Sequence, residues 1–121
     1  MLNGVNRIII NFVPHTEQRY DTVGDYQQID NILFITISQE LGNDIAFETL
    51  HHELREWELN KKAGISDETV DKWDFLNKEV TEGCPYFEQH NKATELSRFI
   101  AEQNGSTLEE YDEVLDNVMG G

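Results

Sequence analysis

The strand-like segments of this chain all lie near its beginning, and this distribution most constrains the fold. Arg7 to Val13 (RIIINFV) and Ile32 to Ser38 (ILFITIS) are short β-branched and aromatic runs, which are typical of strands. After Gly42 the apolar residues recur at helical spacing instead. This order predicts an α+β fold, in which a small two- or three-stranded sheet is followed by about four helices.

The first two predicted helices have recognisable ends. Helix one is expected to begin with Asn43 or Asp44 as its N-cap and to end at Gly64. Helix two has Ser66 as its N-cap. Its predicted apolar face consists of Val70, Trp73, Leu76 and Val80.

The last two predicted helices occupy the C-terminal part of the chain. Helix three is expected to begin near Pro85 and to end at Gly105. Helix four begins with a capping box of Thr107 and Glu110. Residues 105–121 contain acidic side chains but no basic one, so we expect an acidic C-terminal helix and tail.

Composition narrows the class of protein. A length of 121 residues predicts a single domain, residues 1–121. The net charge of −15 argues against direct nucleic-acid binding, and it either attracts a basic partner protein or only keeps the protein soluble. We expect neither a membrane span nor a signal peptide, because no long apolar run is present. The lone Cys84 excludes an internal disulfide, so the cytoplasm is the expected compartment, and the oligomeric state stays open.

Helix one contains the pattern HExxE, formed by His52, Glu53 and Glu56. Residues four apart leave the same face of a helix, so a metal ion can bind the His52 nitrogen and a Glu56 oxygen together. Glu53 would then act as the general base for a water on that ion, as in the HExxH motif of zincins. His51 is the internal control, because the residue four positions later is Arg55, which cannot be a ligand.

A catalytic zinc site needs a third protein ligand and an open position. The best candidate is His90, the only histidine that follows this helix. Asp74 is a candidate fourth ligand or a hydrogen-bond acceptor for a ligand histidine, and Asp71 is a weaker one. Zn²⁺ is the expected metal, with Fe²⁺ or Mn²⁺ as alternatives. The competing interpretation is ordinary: a surface His52 paired with Glu56, and solvated side chains elsewhere.

The connection between the two strand-like runs, Pro14 to Asn31, is long and polar. Its charged residues that would support the site or line its cleft are Arg19, Asp21 and Asp25. Gly24 permits a turn with positive φ. The alternative is a purely structural loop, in which Asp21 and Thr22 cap the backbone.

Taken together, these motifs resemble a family of short phage, prophage and bacterial proteins without an established activity. The resemblance covers about residues 7 to 104. It rests on Pro14-His15, the loop QRYDTVGDY from Gln18 to Tyr26, His52-Glu53-Leu54-Arg55-Glu56, Val70 to Asp74, and Pro85 to Thr94.

The resemblance implies a compact metalloprotease-like fold. It further implies that His52, Glu56 and His90 bind the metal and that Glu53 is the base. This chain departs from the pattern at Ser97, where relatives often have a glutamate two turns after the third histidine.

Two functional hypotheses follow. The first is a zinc-dependent hydrolase, metallopeptidase-like and of phage or prophage origin, whose substrate is not indicated by the sequence. The second is a non-enzymatic acidic phage protein that binds and inhibits a nucleic-acid-binding protein of the host, with a structural metal site.

Overall fold

Three β-strands precede four α-helices in the computed structural model, which describes residues 1–76 and 79–119. The elements are β1 (Arg7–Val13), β2 (Gly24–Ile29), β3 (Ile32–Ser38), α1 (Asn43–Ala63), α2 (Asp67–Asp74), α3 (Phe87–Gln103) and α4 (Leu108–Met119). The predicted α+β class is confirmed. The last two residues of the predicted acidic tail, 120 and 121, lie outside the described residues.

The sheet has the strand order β1-β3-β2, with β1 parallel and β2 antiparallel to β3. β2 lies within the connection that the sequence predicted as a loop, and that prediction is wrong for residues 24–29. The strand is inconspicuous in sequence because GDYQQI has few apolar residues. A tight turn joins β2 to β3, and Asp30 has a φ of 54° there.

The core lies between the sheet and the helices. The alternate residues Leu33, Ile35 and Ile37 of β3 are completely buried at 0% exposure, as the two-residue period of a strand requires. From the helical side, Trp57 of α1 is buried in the same cluster. Each such side chain contributes about 1.5–3 kcal/mol relative to an exposed one, so this contact fixes α1 on the sheet.

The ends of α1 agree closely with the sequence. The helix begins at Asn43, but the N-cap is Gly42, one residue earlier than predicted. Gly42 has a φ of 79°, which suits glycine as the chain turns into the helix. At the other end, Gly64 adopts the left-handed conformation with a φ of 73°, as predicted for this C-cap.

α2 is shorter than its apolar pattern suggests. Ser66 caps it as predicted by accepting a hydrogen bond from the Thr69 backbone N–H. The helix ends at Asp74, so Leu76 does not continue the buried face of Val70 and is 57% exposed. The predicted face through Val80 also crosses residues 77 and 78, which lie outside the described residues.

The two C-terminal helices complete the fold. α3 begins at Phe87, two residues after Pro85, and it packs along α1. The Thr107 hydroxyl accepts the Glu110 backbone N–H at 3.1 Å, as the predicted cap requires, and Tyr111 is buried. Within residues 1–76 and 79–119, no helix combines the length and apolarity needed to cross a membrane.

Candidate metal centre

The packing of α1 against α3 brings the three predicted ligands together. His52 and Glu56 are one turn apart on α1, and His90 faces them from α3. Glu56 Oε2 lies 3.3 Å from His52 Nε2 and 3.0 Å from His90 Nδ1. One ligand atom from each of the three residues lies within 4.8 Å of the others.

These distances suit a metal ion. Donors bound tetrahedrally at zinc bond lengths of about 2.0–2.1 Å are roughly 3.4 Å apart, close to the two separations above. Two imidazole nitrogens and one carboxylate oxygen are also a donor set that zinc accepts. The side chains of His52 and His90 are 14% and 31% exposed, so solvent can reach the cluster.

Without an ion, the same contacts make a hydrogen-bonded cluster. Burial acts to raise the pKa of Glu56, but hydrogen bonds from His52 and His90 and their charges outweigh burial and hold this pKa at about 2. Glu56 is therefore a carboxylate at neutral pH whether or not a metal is bound. An ionised oxygen between two imidazoles is a suitable ligand.

The second oxygen of Glu56 is held in place by residues that the sequence analysis missed. The Tyr26 hydroxyl donates to Glu56 Oε1 at 3.3 Å, and Asn60 Nδ2 donates to the Tyr26 hydroxyl at 2.7 Å. All three side chains are buried. Burial raises the pKa of Tyr26 well above its usual value, so its hydroxyl keeps the proton that it donates. The spacing of Asn60, one turn after Glu56, was an available signal.

Glu53, the predicted base, lies beside the cluster and under the sheet. Its Oε2 is 3.9 Å from His52 Nε2, and the residue is 7% exposed. Burial, followed by the charges of Glu56 and Asp25, raises the pKa of Glu53 well above its usual value. No described residue forms a hydrogen bond with the Glu53 carboxylate, which leaves both oxygens available to a ligand in the cavity.

Gly24 allows Glu53 to occupy this position. The positive φ that the sequence permits at Gly24 does not occur, since the residue belongs to β2 and lies outside the left-handed region. The reason for glycine is space. A Cβ at this position would lie 2.9 Å from both Glu53 Cγ and Thr49 Cγ2, closer than carbon atoms can approach.

We therefore expect Gly24→Ala to destabilise the protein by about 1–3 kcal/mol, because α1 or β2 must move to accommodate the methyl group. Urea unfolding followed by tryptophan fluorescence measures this change. Gly83→Ala is the matched control, since a Cβ there has no atom within 4 Å and the backbone has no positive φ. Equal midpoints for the two variants would contradict the close packing of β2 on α1.

Asp74 has other partners than the predicted ones. Within the described part of the chain, the cluster consists of His52, Glu56 and His90 without Asp74. Instead, the Asp74 carboxylate accepts hydrogen bonds from the hydroxyls of Tyr20, at 3.0 Å, and Tyr86. Burial raises the pKa of Asp74 to about 6. Asp74 thus connects α2 with the long loop and with the start of α3.

Arg19 forms two ion pairs within the fold, and its support of a metal site stays a prediction. Its guanidinium binds Asp25 of β2 at 2.6 and 2.9 Å and Asp71 of α2 at 3.1 and 3.2 Å. Asp71, the weaker ligand candidate, is therefore engaged in this ion pair. The arrangement ties the loop and β2 to α2.

Hydrogen bonds of a serine, a histidine and an aspartate connect the loop with β3. His15 Nδ1 is 2.8 Å from Ser38 Oγ, and His15 Nε2 is 2.8 Å from Asp21 Oδ1. Ser38 is completely buried, and its hydroxyl also lies 3.4 Å from the Thr22 carbonyl oxygen. A catalytic nucleophile must reach its substrate, and Ser38 is buried, so we interpret these three residues as structural. Their hydrogen bonds hold the loop against β3. Asp21 contacts His15 and also lines the cavity that contains the cluster.

The cluster opens into a cavity of about 460 Å³, which lies within the range of small-molecule and peptide sites. His52, Glu53 and His90 form part of its wall, and Tyr111 and Leu115 of α4 form another part. The candidate ligands and the candidate base thus share one solvent-accessible space.

Comparison of the chain with protein-family models, with curated proteins and with solved structures found no match. The resemblance to the phage and bacterial family therefore stays a prediction, and any functional proposal depends on the geometry of the site.

Proposed function

We propose that this protein is a metal-dependent hydrolase of the metallopeptidase-like kind, with Zn²⁺ held by His52, Glu56 and His90. The observation that carries the proposal is the convergence of these three donors at one point of a cavity, with Glu53 beside them. Fe²⁺ and Mn²⁺ bind similar donor sets and are the alternative ions.

The expected chemistry divides between the ion and the chain. A bound Zn²⁺ would act as a Lewis acid and make a water molecule more acidic. Glu53 would accept the proton of that water, since its carboxylate has no hydrogen-bond partner among the described residues and lines the cavity. A cation at the cluster would also oppose the effect of burial on Glu53 and favour its ionised form.

The supporting residues fit this function. A carboxylate ligand needs a partner that fixes its orientation, and Tyr26 with Asn60 supplies one for Glu56. The resemblance to a phage family adds an expected phage or prophage origin, without a substrate.

A second candidate function is suggested by the charge of α4. Its acidic side chains are exposed, and none forms an ion pair within residues 1–76 and 79–119: Glu109, Glu110, Asp112, Glu113 and Asp116. Such a surface suits a basic protein as partner. In that case the protein would act as an acidic inhibitor of a host nucleic-acid-binding protein, and the cluster would have a structural role.

Zinc titration of the chelator-treated protein tests the first proposal. We expect one ion per chain, a higher melting temperature with zinc, and cleavage of a mixed peptide library that stops when a chelator is added. Failure to bind any of Zn²⁺, Fe²⁺ or Mn²⁺ would reject the metal centre. Zinc binding without cleavage, together with salt-sensitive binding of basic host proteins, would favour the second candidate.

A further inference from the structure

A row of side chains on α3 leads away from the candidate metal centre. His90, Thr94 and Arg98 follow one another at intervals of four residues, so they share one face of the helix. All three line the cavity that contains the cluster. The helix thus places a guanidinium on the same wall as a proposed metal ligand.

Arg98 is the only lysine or arginine among the described residues that line this cavity. The carboxylates of the lining are Asp21, Glu53, Glu56, Asp74, Glu79 and Asp112. Despite this acidic environment, and despite Glu95 and Glu102 one turn away on α3, Arg98 forms no ion pair with any residue in the ranges described. Its donors are therefore available to an incoming anion.

The contrast with Arg19 makes this availability informative. Arg19 has two aspartate partners within the fold and serves to hold elements together. Arg98 is exposed and contacts no acid, so removing it would cost the fold little. A guanidinium binds a carboxylate through two parallel hydrogen bonds, which is the geometry that such a free arginine offers.

The spacing limits where on a substrate the anion would lie. Eight residues of helix separate the Cα atoms of His90 and Arg98 by about 12 Å. Side chains of a helix lean toward its N-terminus, and because His90 and Arg98 lean alike, their separation stays about 12 Å. An extended peptide advances about 3.3 Å per residue, which places the bound group roughly three to four residues from the reacting bond.

We propose that Arg98 binds a carboxylate of the substrate, and that the protein therefore acts on peptides with an acidic side chain or a free C-terminus roughly three to four residues from the bond to be cleaved. This inference rests on the function proposed above. Asp112, which lines the same cavity from α4, would repel such a group and confine recognition to the immediate reach of Arg98.

Peptide hydroxamates test this inference, because a hydroxamate binds zinc and can be followed by a chosen sequence. The first pair is hydroxamate-Ala-Ala-Asp-amide and hydroxamate-Ala-Ala-Asn-amide. The second pair is hydroxamate-Ala-Ala-Ala with a free carboxylate and with an amide. Titration calorimetry on the zinc-loaded full chain gives the affinity ratio within each pair, and the two pairs separate a side-chain carboxylate from a terminal one.

For at least one pair, we expect the carboxylate probe to bind about tenfold more tightly than its neutral partner. Arg98→Gln should reduce this ratio to about one while the neutral probe still binds. Lys92→Gln is the matched control: Lys92 is another basic residue of α3, it forms no ion pair with residues 1–76 or 79–119, and it does not line this cavity. It should leave the ratio unchanged.

Two outcomes would overturn the inference and can be told apart. Equal binding within both pairs, or a preference that survives in Arg98→Gln, would reject the role of Arg98 but leave the metal centre intact. If none of the four probes binds the native protein in the presence of zinc, the metal centre itself fails, and the inference fails with it.

Discussion

Replacing His52 or His90 with alanine is expected to weaken zinc binding by more than about 100-fold, because loss of even a supporting residue costs 10–100-fold at such sites. The same change at His51 should leave the affinity within a few-fold of native. The structure gives the reason: His52 and His90 face Glu56, whereas the His51 ring packs edge-on against Phe47, with centroids 4.6 Å apart. Competition with a chromogenic chelator measures the affinities.

The melting temperature provides an independent measurement of the same effect. A ligand at 1,000 times its dissociation constant stabilises the folded state by about 4.1 kcal/mol. A 100-fold loss of affinity lowers that stabilisation to about 1.4 kcal/mol. The zinc-dependent shift should therefore shrink strongly in His52→Ala and His90→Ala and persist in His51→Ala.

Each contrary result identifies a different error. Equal losses at His51 and His52 would show that the metal is bound by another face of α1. A normal zinc affinity in His90→Ala would mean that His90 only donates a hydrogen bond to the Glu56 carboxylate, at the 3.0 Å observed. In that case the site would consist of α1 residues alone.

The parts of the site that could be predicted from sequence are those set by local geometry. The spacing of His52 and Glu56 within one helix determines that they share a face, whatever the tertiary structure. His90 was found differently, as the only histidine after that helix. Its position opposite Glu56 depends on the packing of α1 against α3, which the sequence pattern did not specify.

The parts that escaped prediction depend on contacts between distant segments. Tyr26 reaches Glu56 only because β2 pairs with β3 and passes over α1. The composition of β2 is polar and predicts a loop. The sequence therefore indicates neither its pairing with β3 nor the contact of Gly24 with Glu53. For Asp74, the sequence placed a carboxylate near the site but could not show that Tyr20 and Tyr86 bind it.

Fold class was easier to predict than the exact elements. The separation of β-branched runs from helical periods is a feature of the whole chain, and it was sufficient for the α+β class. The end of α2 could not be predicted in this way, because Leu76 continues the helical spacing of apolar residues although the helix ends at Asp74. Apolar spacing indicates which face would be buried, but it does not show where a helix stops.

Glu53→Gln is expected to abolish catalysis while leaving the fold and the metal in place. Glutamine has nearly the same shape, so it keeps the packing against Gly24 and Thr49. It cannot accept a proton from water, and loss of a general base typically costs 10²–10⁴-fold in turnover, so we expect a decrease of roughly this size. Peptide cleavage by the zinc-loaded variant measures the loss, and zinc affinity should stay within a few-fold of native.

Glu48→Gln is the matched control for this substitution. Glu48 is a buried glutamate of the same helix, it does not line the cavity, and it accepts hydrogen bonds from Asn104 and Ser106. Burial raises the pKa of both glutamates, so in each case the folded state favours the neutral form that glutamine resembles. Each variant should therefore fold at neutral pH at least as stably as the native protein, and only Glu53→Gln should lose turnover.

If Glu53→Gln loses zinc as well, Glu53 is a ligand and the assignment of Glu56 must be revised. If it retains full turnover, the proton is accepted elsewhere, and Asp74, a partly buried carboxylate of the cavity with a raised pKa, becomes the residue to replace next.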